Sequence, residues 1–260
     1  MKKIKSHITL VAIAITSMLM FSMCMEKDST SPHIILDGKN PYRIDLNDRY
    51  IEAYYQIYDN RDDSAELTVE IVNEIDTLEE EDGFFDAAGD PIYMGVGATI
   101  QHETYTIEYT VTDKAGNIAV ASREVIVTNE IDAYAKNYTV EKLNLTNPDQ
   151  TYEDYLQQID FDEAVNNRLW VSKFSNLESI YNLTVYMDVR GDSIFIPRQT
   201  FVDQNAYVIE GKDDMNNGFA GLLDRNAFTF TIEYTASKNP GPGSPATEDF
   251  MEIFKKTEVE

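Results

Sequence analysis

The strongest constraint on this fold is an alternation. From Thr104 to Thr112 the chain reads Thr-Tyr-Thr-Ile-Glu-Tyr-Thr-Val-Thr, with Tyr105, Ile107, Tyr109 and Val111 on one parity and polar residues on the other. A period of two places the apolar set on one face of an extended strand and leaves no stripe at helical spacing. Asp113-Lys-Ala-Gly-Asn117 then supplies a tight turn, with Gly116 and Asn117 suited to positive φ. Ile118 to Thr128 returns as a second strand, with Ala119, Ala121, Val125 and Val127 on one face. Ile51 to Tyr58 and Leu67-Thr-Val-Glu-Ile71 give earlier β runs. Several short strands separated by turns predict a two-sheet sandwich for this half.

Beyond a joint at 129–134 the strand signals resume. They run over Leu169–Phe174, Tyr181–Val189, Ser193–Pro197, Ala206–Glu210 and Phe228–Tyr234, with Arg190-Gly191-Asp192 as a turn. The chain is therefore expected to be all-β, a sandwich followed by a second antiparallel sandwich or barrel-like domain. Two segments break the pattern. Tyr152, Tyr155, Leu156 and Ile159 stand at helical spacing, so Pro148–Glu163 reads either as a short helix or as a loop. Behind Asn239-Pro-Gly-Pro-Gly-Ser-Pro245, the stretch Thr247–Lys256 is predicted to be a short tail helix, capped by Thr247 with Phe250, Met251, Ile253 and Phe254 on its apolar face.

The N-terminus begins Met1-Lys-Lys-Ile-Lys5 and continues as an uncharged apolar run from Ile8 to Phe21. That run is shorter than a membrane span, which needs about 20 apolar residues, and reads as a secretory signal. The single cysteine, Cys24, falls where the run ends. This resembles a bacterial lipoprotein signal, which implies lipidation of Cys24, a membrane anchor without a spanning helix, and a mature chain that starts there. Met25-Glu-Lys-Asp-Ser-Thr-Ser-Pro32 would be a flexible tether, and its acids resemble the surface-export signal of Bacteroides-type lipoproteins.

Two further resemblances follow from the residues. Pro32-His-Ile-Ile-Leu-Asp-Gly38, the Tyr105–Ala119 hairpin with its Tyr-x-x-x-Tyr-x-x-x-Asp-x-x-Gly-Asn pattern, and Arg123-Glu-Val-Ile-Val127 resemble the immunoglobulin-like domain of Bacteroidota surface lipoproteins. The match departs at Asn47-Asp-Arg49, where a Gly-rich turn is expected, and at Leu78–Gly97, which reads as an insertion. The core Ile194-Phe-Ile-Pro-Arg-Gln199, with Val208-Ile-Glu-Gly211 and Phe230-Thr-Ile-Glu-Tyr234, resembles small C-terminal β-domains of the same lipoproteins. Together these imply a signal peptide over 1–23, a tether over 24–32, an immunoglobulin-like sandwich over 33–129, a β-domain over 135–238, and a linker with tail helix over 239–260. They also imply an outer-membrane, cell-surface address and no catalysis. The first domain would be a spacer. The second would serve glycan capture or, alternatively, structural and adhesive contact with other envelope proteins.

Composition narrows the chemistry. With 46 Asp and Glu against 21 Lys and Arg the net charge is −25; loss of Lys2, Lys3 and Lys5 with the signal makes it −28. Phosphate backbones would be repelled, which excludes nucleic acid as a partner. One cysteine and three histidines leave no thiolate cluster and little for a His-based site, and no nucleotide-loop, zinc-protease or nucleophile-elbow motif occurs, so no enzyme activity, cofactor or metal is expected. Asp59-Asn-Arg-Asp-Asp63 offers oxygens but lacks the spacing of a calcium loop and reads as a solvated turn. Glycans are held by aromatic faces with amide and carboxylate help. Tyr152, Tyr155, Trp170 and Tyr181 are the candidate ligand-binding residues, with Tyr186, Asn166, Asn167 and Asp188 as neighbours; Trp170 and Tyr186 could equally be core, while Tyr152 and Tyr155 are expected in solvent. Asp-Ser-Thr and Asp-Ser-Ile tripeptides resemble Bacteroides-type O-glycosylation sites and single out Ser29 and Ser193.

Overall fold

A computed structural model describes residues 27–78, 82–85, 91–94, 97–177, 183–201, 207–212, 218–238 and 246–257. Cys24 and the signal segment therefore lie outside the described residues. The fold is all-β, as the alternation predicts, and among the described residues the only helical turns are three short 3-10 segments.

The chain divides into two compact units. The first holds the described residues up to Gly38 together with Ala53–Asn73 and Ile107–Arg123; the second holds Lys39–Glu52, Glu74–Thr106 and Glu124 onward. The strands in chain order are β1 (His33–Leu36), β2 (Tyr42–Asp45), β3 (Tyr55–Tyr58), β4 (Thr68–Asn73), β5 (Asp82–Phe85), β6 (Pro91–Met94), β7 (Thr104–Thr112) and β8 (Ile118–Thr128). They continue as β9 (Asn137–Asn144), β10 (Tyr155–Phe161), β11 (Arg168–Val171), β12 (Val185–Arg190), β13 (Ser193–Phe195), β14 (Gln199–Phe201), β15 (Tyr207–Gly211), β16 (Phe219–Asp224), β17 (Thr229–Lys238) and β18 (Ala246–Lys256).

The first unit is built from two small antiparallel pairings. β1 pairs with β3, and β4 pairs with β7 from Thr68↔Thr112 to Asn73↔Ile107, both antiparallel. The odd-numbered face of β7 is buried as its alternation requires, and Tyr55 meets Tyr109 at 5.8 Å between the two sheets. The Asp113 carboxylate closes the hairpin turn, accepting from Asn117 N and Asn117 Nδ2 at 2.7 Å each, while Gly116 takes φ +89°. Within the second unit, β2 runs parallel to the end of β8, and the expected insertion is an antiparallel hairpin of β5 and β6.

The rest of the second unit is a closed antiparallel barrel. Its ring runs β17–β16–β13–β12–β11–β10–β9–β18 and back to β17, so no stave in it has an unpaired side along its whole length. β15 pairs with the C-terminal half of β17 while β16 pairs with the N-terminal half, and β14 hangs on β15. The interior is aromatic: Phe230 stacks on Phe254 at 4.2 Å, Tyr234 on Phe250 at 5.5 Å, and Phe174 meets Tyr234 edge-on at 4.8 Å. Gly211 is required by backbone crowding, since a Cβ there would stand 2.0 Å from the Gly218 carbonyl oxygen.

Two expectations need correction. The tail is not a helix: β18 pairs with β17 along Phe230↔Phe254 to Lys238↔Ala246 and with β9 on its other side. Phe250, Glu252 and Phe254 point inward and Met251 and Ile253 are half-buried outside, so apolar residues at adjacent positions imitate a helical face. The ambiguous Pro148–Glu163 segment is loop up to Asp154, as one alternative held, and then strand β10 rather than helix, with Gln157 and Ile159 inward.

Candidate functional site

The outer surface of the barrel is built by the parity opposite to the core. On β11 and β12, Leu169, Val171, Val185 and Met187 fill the interior. Arg168, Trp170, Tyr186 and Asp188 take the opposite parity, the two aromatics half-buried and the ion pair buried by its neighbours. Cross-strand register sets Trp170 beside Tyr186 and Arg168 beside Asp188. The two rings meet edge-on at 5.4 Å, both half-buried. Trp170 Nε1 donates to Asp162 Oδ2 at 2.8 Å, which fixes the indole. The Arg168 guanidinium lies 4.2 Å over the Tyr186 ring and forks onto Asp188, Nε to Oδ1 at 2.7 Å and Nη2 to Oδ2 at 3.2 Å. Burial works against that guanidinium's charge, but Asp188 outweighs it and holds its pKa above the ordinary value.

The row continues across the sheet. Asp188 stands opposite Phe195, whose ring lies 5.8 Å from Phe219, and the Arg190 guanidinium covers Phe195 at 4.8 Å. A register shift between Ile194 and Phe195 marks a bulge against β16. Beside it an open depression of about 530 Å³ is lined by Phe219, Leu222, Thr231 and Glu233. Gln199, the last residue of the Ile-Pro-x-Gln core, has a specific task here. Its Oε1 accepts from Tyr186 N at 3.1 Å and its Nε2 donates to Tyr186 O at 2.9 Å. The side-chain amide thus substitutes for a strand partner where β13, which pairs with Asp188–Arg190, does not reach.

Other sequence candidates fall elsewhere. Tyr152 and Tyr155, expected in solvent, pack against the barrel core because β10 and the chain before it turn their rings inward. Tyr152 meets Phe250 at 6.3 Å, and its Oη lies 3.4 Å from Asn144 Nδ2, which donates to it. Tyr181 lies outside the described residues. Asn166 and Asn167 serve their own loop: Asn166 Oδ1 accepts from Glu130 N at 2.9 Å, and Asn167 N donates to Asn129 Oδ1 at 2.9 Å. Asn129, almost fully buried, also donates to the Asp162 and Val165 carbonyls at 2.8 and 2.9 Å. Ser29 is exposed, whereas Ser193 sits half-buried in β13. His33 stacks near Tyr58 at 5.5 Å and His102 near Phe161 at 4.6 Å.

The Asp59 carboxylate caps its own turn, accepting from Arg61 N at 2.9 Å and Asp62 N at 3.1 Å, and these bonds hold its pKa below the usual carboxylate range. Asp28, Asp59 and Asp113 bring one oxygen each within 4.8 Å of one another. Asp28 and Asp113 are also occupied, by Thr30 N and by Asn117.

Inside the barrel is a polar cluster that sequence patterning did not reveal. Glu252 is fully buried; its Oε1 accepts from Tyr234 Oη at 2.8 Å, and its Oε2 has no hydrogen-bond partner. Tyr234 Oη also bonds Ser175 Oγ. Lys142, opposite Glu252 in the ladder, donates from Nζ to the Ser175 carbonyl at 3.0 Å and lies 4.3 Å over the Phe250 ring. Tyr155 Oη is buried without a partner. Burial raises the pKa of Glu252 and of both tyrosines and lowers that of Lys142. A carboxyl and phenols shifted upward favour their neutral, hydrogen-bonding forms in the barrel interior. The only sequence signal for it is a polar residue on the inward parity of a strand, as at Lys142 and Glu252.

No family model matches the chain, and no curated protein matches it. The crystal structure of the lipoprotein BT2262 from Bacteroides thetaiotaomicron aligns with 86% of this chain and 100% of that one, at 14% identity and a TM-score of 0.31. So distant a likeness assigns neither fold nor function.

Proposed function

We propose that this is a non-catalytic lipoprotein of the bacterial outer membrane, anchored through Cys24 at the cell surface, that captures glycan on the outer face of its barrel. The observation that carries the reading is the Trp170–Tyr186 pair, half-exposed, 5.4 Å apart and held by Asp162 and Arg168. Sugars bind by stacking their C–H faces on such rings, and a ring already held in place loses little entropy on binding. The depression beside Phe219, edged by Thr231 and Glu233, gives the same row a concave end with polar groups. The immunoglobulin-like unit then acts as a spacer between membrane and barrel.

Affinity electrophoresis of the chain from Met25 through gels cast with single polysaccharides tests this. Retardation by one glycan, lost on Trp170→Ala, is the expected result. Absence of retardation on every polysaccharide, with envelope proteins recovered by crosslinking, overturns it. That second outcome is the adhesion reading, and one observation favours it: the first unit leaves Tyr54 86%, Val120 57% and Ile118 54% exposed.

A further inference from the structure

We infer that the barrel carries a second binding site, a cleft between β10 and the Ser172–Asn176 loop that takes the carboxylate of an acidic sugar unit. The inference rests on the glycan reading above and adds both a place and a ligand charge to it.

The cleft follows from the register. β10 pairs with β9 from Tyr155 to Gln158, but with β11 only from Ile159 onward. The other edge of Tyr155–Gln158 therefore faces a loop instead of a strand. That loop is unusual: Lys173, Ser175 and Asn176 all occupy the left-handed region, at φ +53°, +60° and +47°. None is glycine, and such residues persist in that region only where the surroundings fix them. Here the anchor is Ser175, buried to 1% exposure, whose Oγ bonds Tyr234 and whose carbonyl accepts from Lys142. Gln157 adds a second tie, its Nε2 donating to the Ser172 carbonyl at 2.6 Å.

The anchored loop leaves a cleft of about 270 Å³ lined by Tyr155, Gln157, Gln158, Ser172, Lys173 and Asn176. That volume lies just below the roughly 300–1,000 Å³ of ordinary ligand pockets, so it suits one sugar-sized unit. An added peptide strand fits less well, because the loop and Gln157 already cover the edge it would need.

Charge selects the ligand. Eleven lysines and arginines lie between Lys136 and Lys256. Ten are engaged with a carboxylate, a carbonyl or an aromatic ring. Lys173 alone has no such partner among the described residues, and it projects at the mouth of a polar cleft on a strongly acidic protein. Its three N–H donors, beside the Ser172 hydroxyl and the Asn176 amide, are complementary to a carboxylate and its neighbouring hydroxyls, while the Gln158 amide is taken up by Asp160 at 3.1 Å.

Isothermal titration of the chain from Met25 with an oligogalacturonate and with its methyl ester tests the inference. The two probes share size and hydroxyls and differ in charge. Binding of the acid at least tenfold tighter than the ester, lost on Lys173→Gln and weakened by added salt, is the expected result. Equal affinity for the two probes, an acid affinity unchanged by K173Q, or no binding of the acid overturns it. So does competition by an acidic peptide that shares the Lys173 dependence, which would make the cleft a peptide site. Trp170→Ala separates this inference from the parent reading. Trp170-dependent binding of a neutral glycan with no Lys173-dependent binding of the acid leaves the outer face standing and removes the cleft; Lys173-dependent acid binding with no Trp170-dependent binding of any neutral glycan does the reverse.

Discussion

Single side chains in this protein substitute for missing backbone partners. Gln199 completes the hydrogen bonds of Tyr186, and Asn129 joins four backbone groups at the start of the barrel, adding the Ile131 amide at 3.2 Å to the three contacts above. Gln199→Ala is expected to cost about 2 kcal/mol, and Asn129→Ala about 3 kcal/mol because its partners are more deeply buried; urea midpoints measure both. Gln199→Glu would not restore the first, since it cannot donate to the Tyr186 carbonyl. Glu252 makes a pH prediction. Its carboxyl is raised above its unfolded value, chiefly by burial and against the opposing pull of Ser175, Lys142, Tyr234 and Tyr155. The neutral form thus contributes stability that is complete below the unfolded pKa, near 4.5, and is lost as pH rises through the folded value. Glu252→Gln keeps an acceptor for Tyr234 and cannot ionise. Its stability relative to the parent should therefore increase from pH 4 toward neutrality, and a difference that stays flat with pH contradicts the shift.

At the scale of elements, β18 has the largest structural consequence. It joins β17 to β9 and so closes the ring. A chain ending at Pro245 should lose cooperative unfolding of the barrel, seen as collapse of its near-ultraviolet circular dichroism, while the hairpin of β7 and β8 survives limited proteolysis. The same strand shows where the sequence stops being legible. β7 could be read because one parity is wholly apolar and the other wholly polar. β9 alternates only weakly, and β10 and β18 do not read as strands, because Lys142, Asn144, Gln157 and Glu252 sit on the inward parity and break the alternation. Those residues belong inside only because partners distant in sequence satisfy them, and a local period carries no record of that. Trp170 and Tyr186 were legible as aromatics in strands, but which face they occupy depends on register. The Lys173 cleft had no local signal, since it arises from a strand that outruns its neighbour.

For the whole molecule, net charge sets the background. At −25 the folded chain repels itself, and ion pairs such as Arg225–Asp192 and Lys255–Glu141 are exposed and contribute little. Screening should therefore help overall: raising sodium chloride from about 20 mM to about 300 mM is expected to raise the melting temperature. A fall on added salt would mean that attractive pairs outweigh the net repulsion.

The closing strand also imposes an order in time. Lys142 and Glu252 face each other across a ladder, yet one is synthesised long before the other. β9 has no β18 to pair with until the intervening chain has emerged, and bringing such distant segments together is entropically slow. Until then the ring of staves stays open, so closure of the barrel waits for the last strand to emerge.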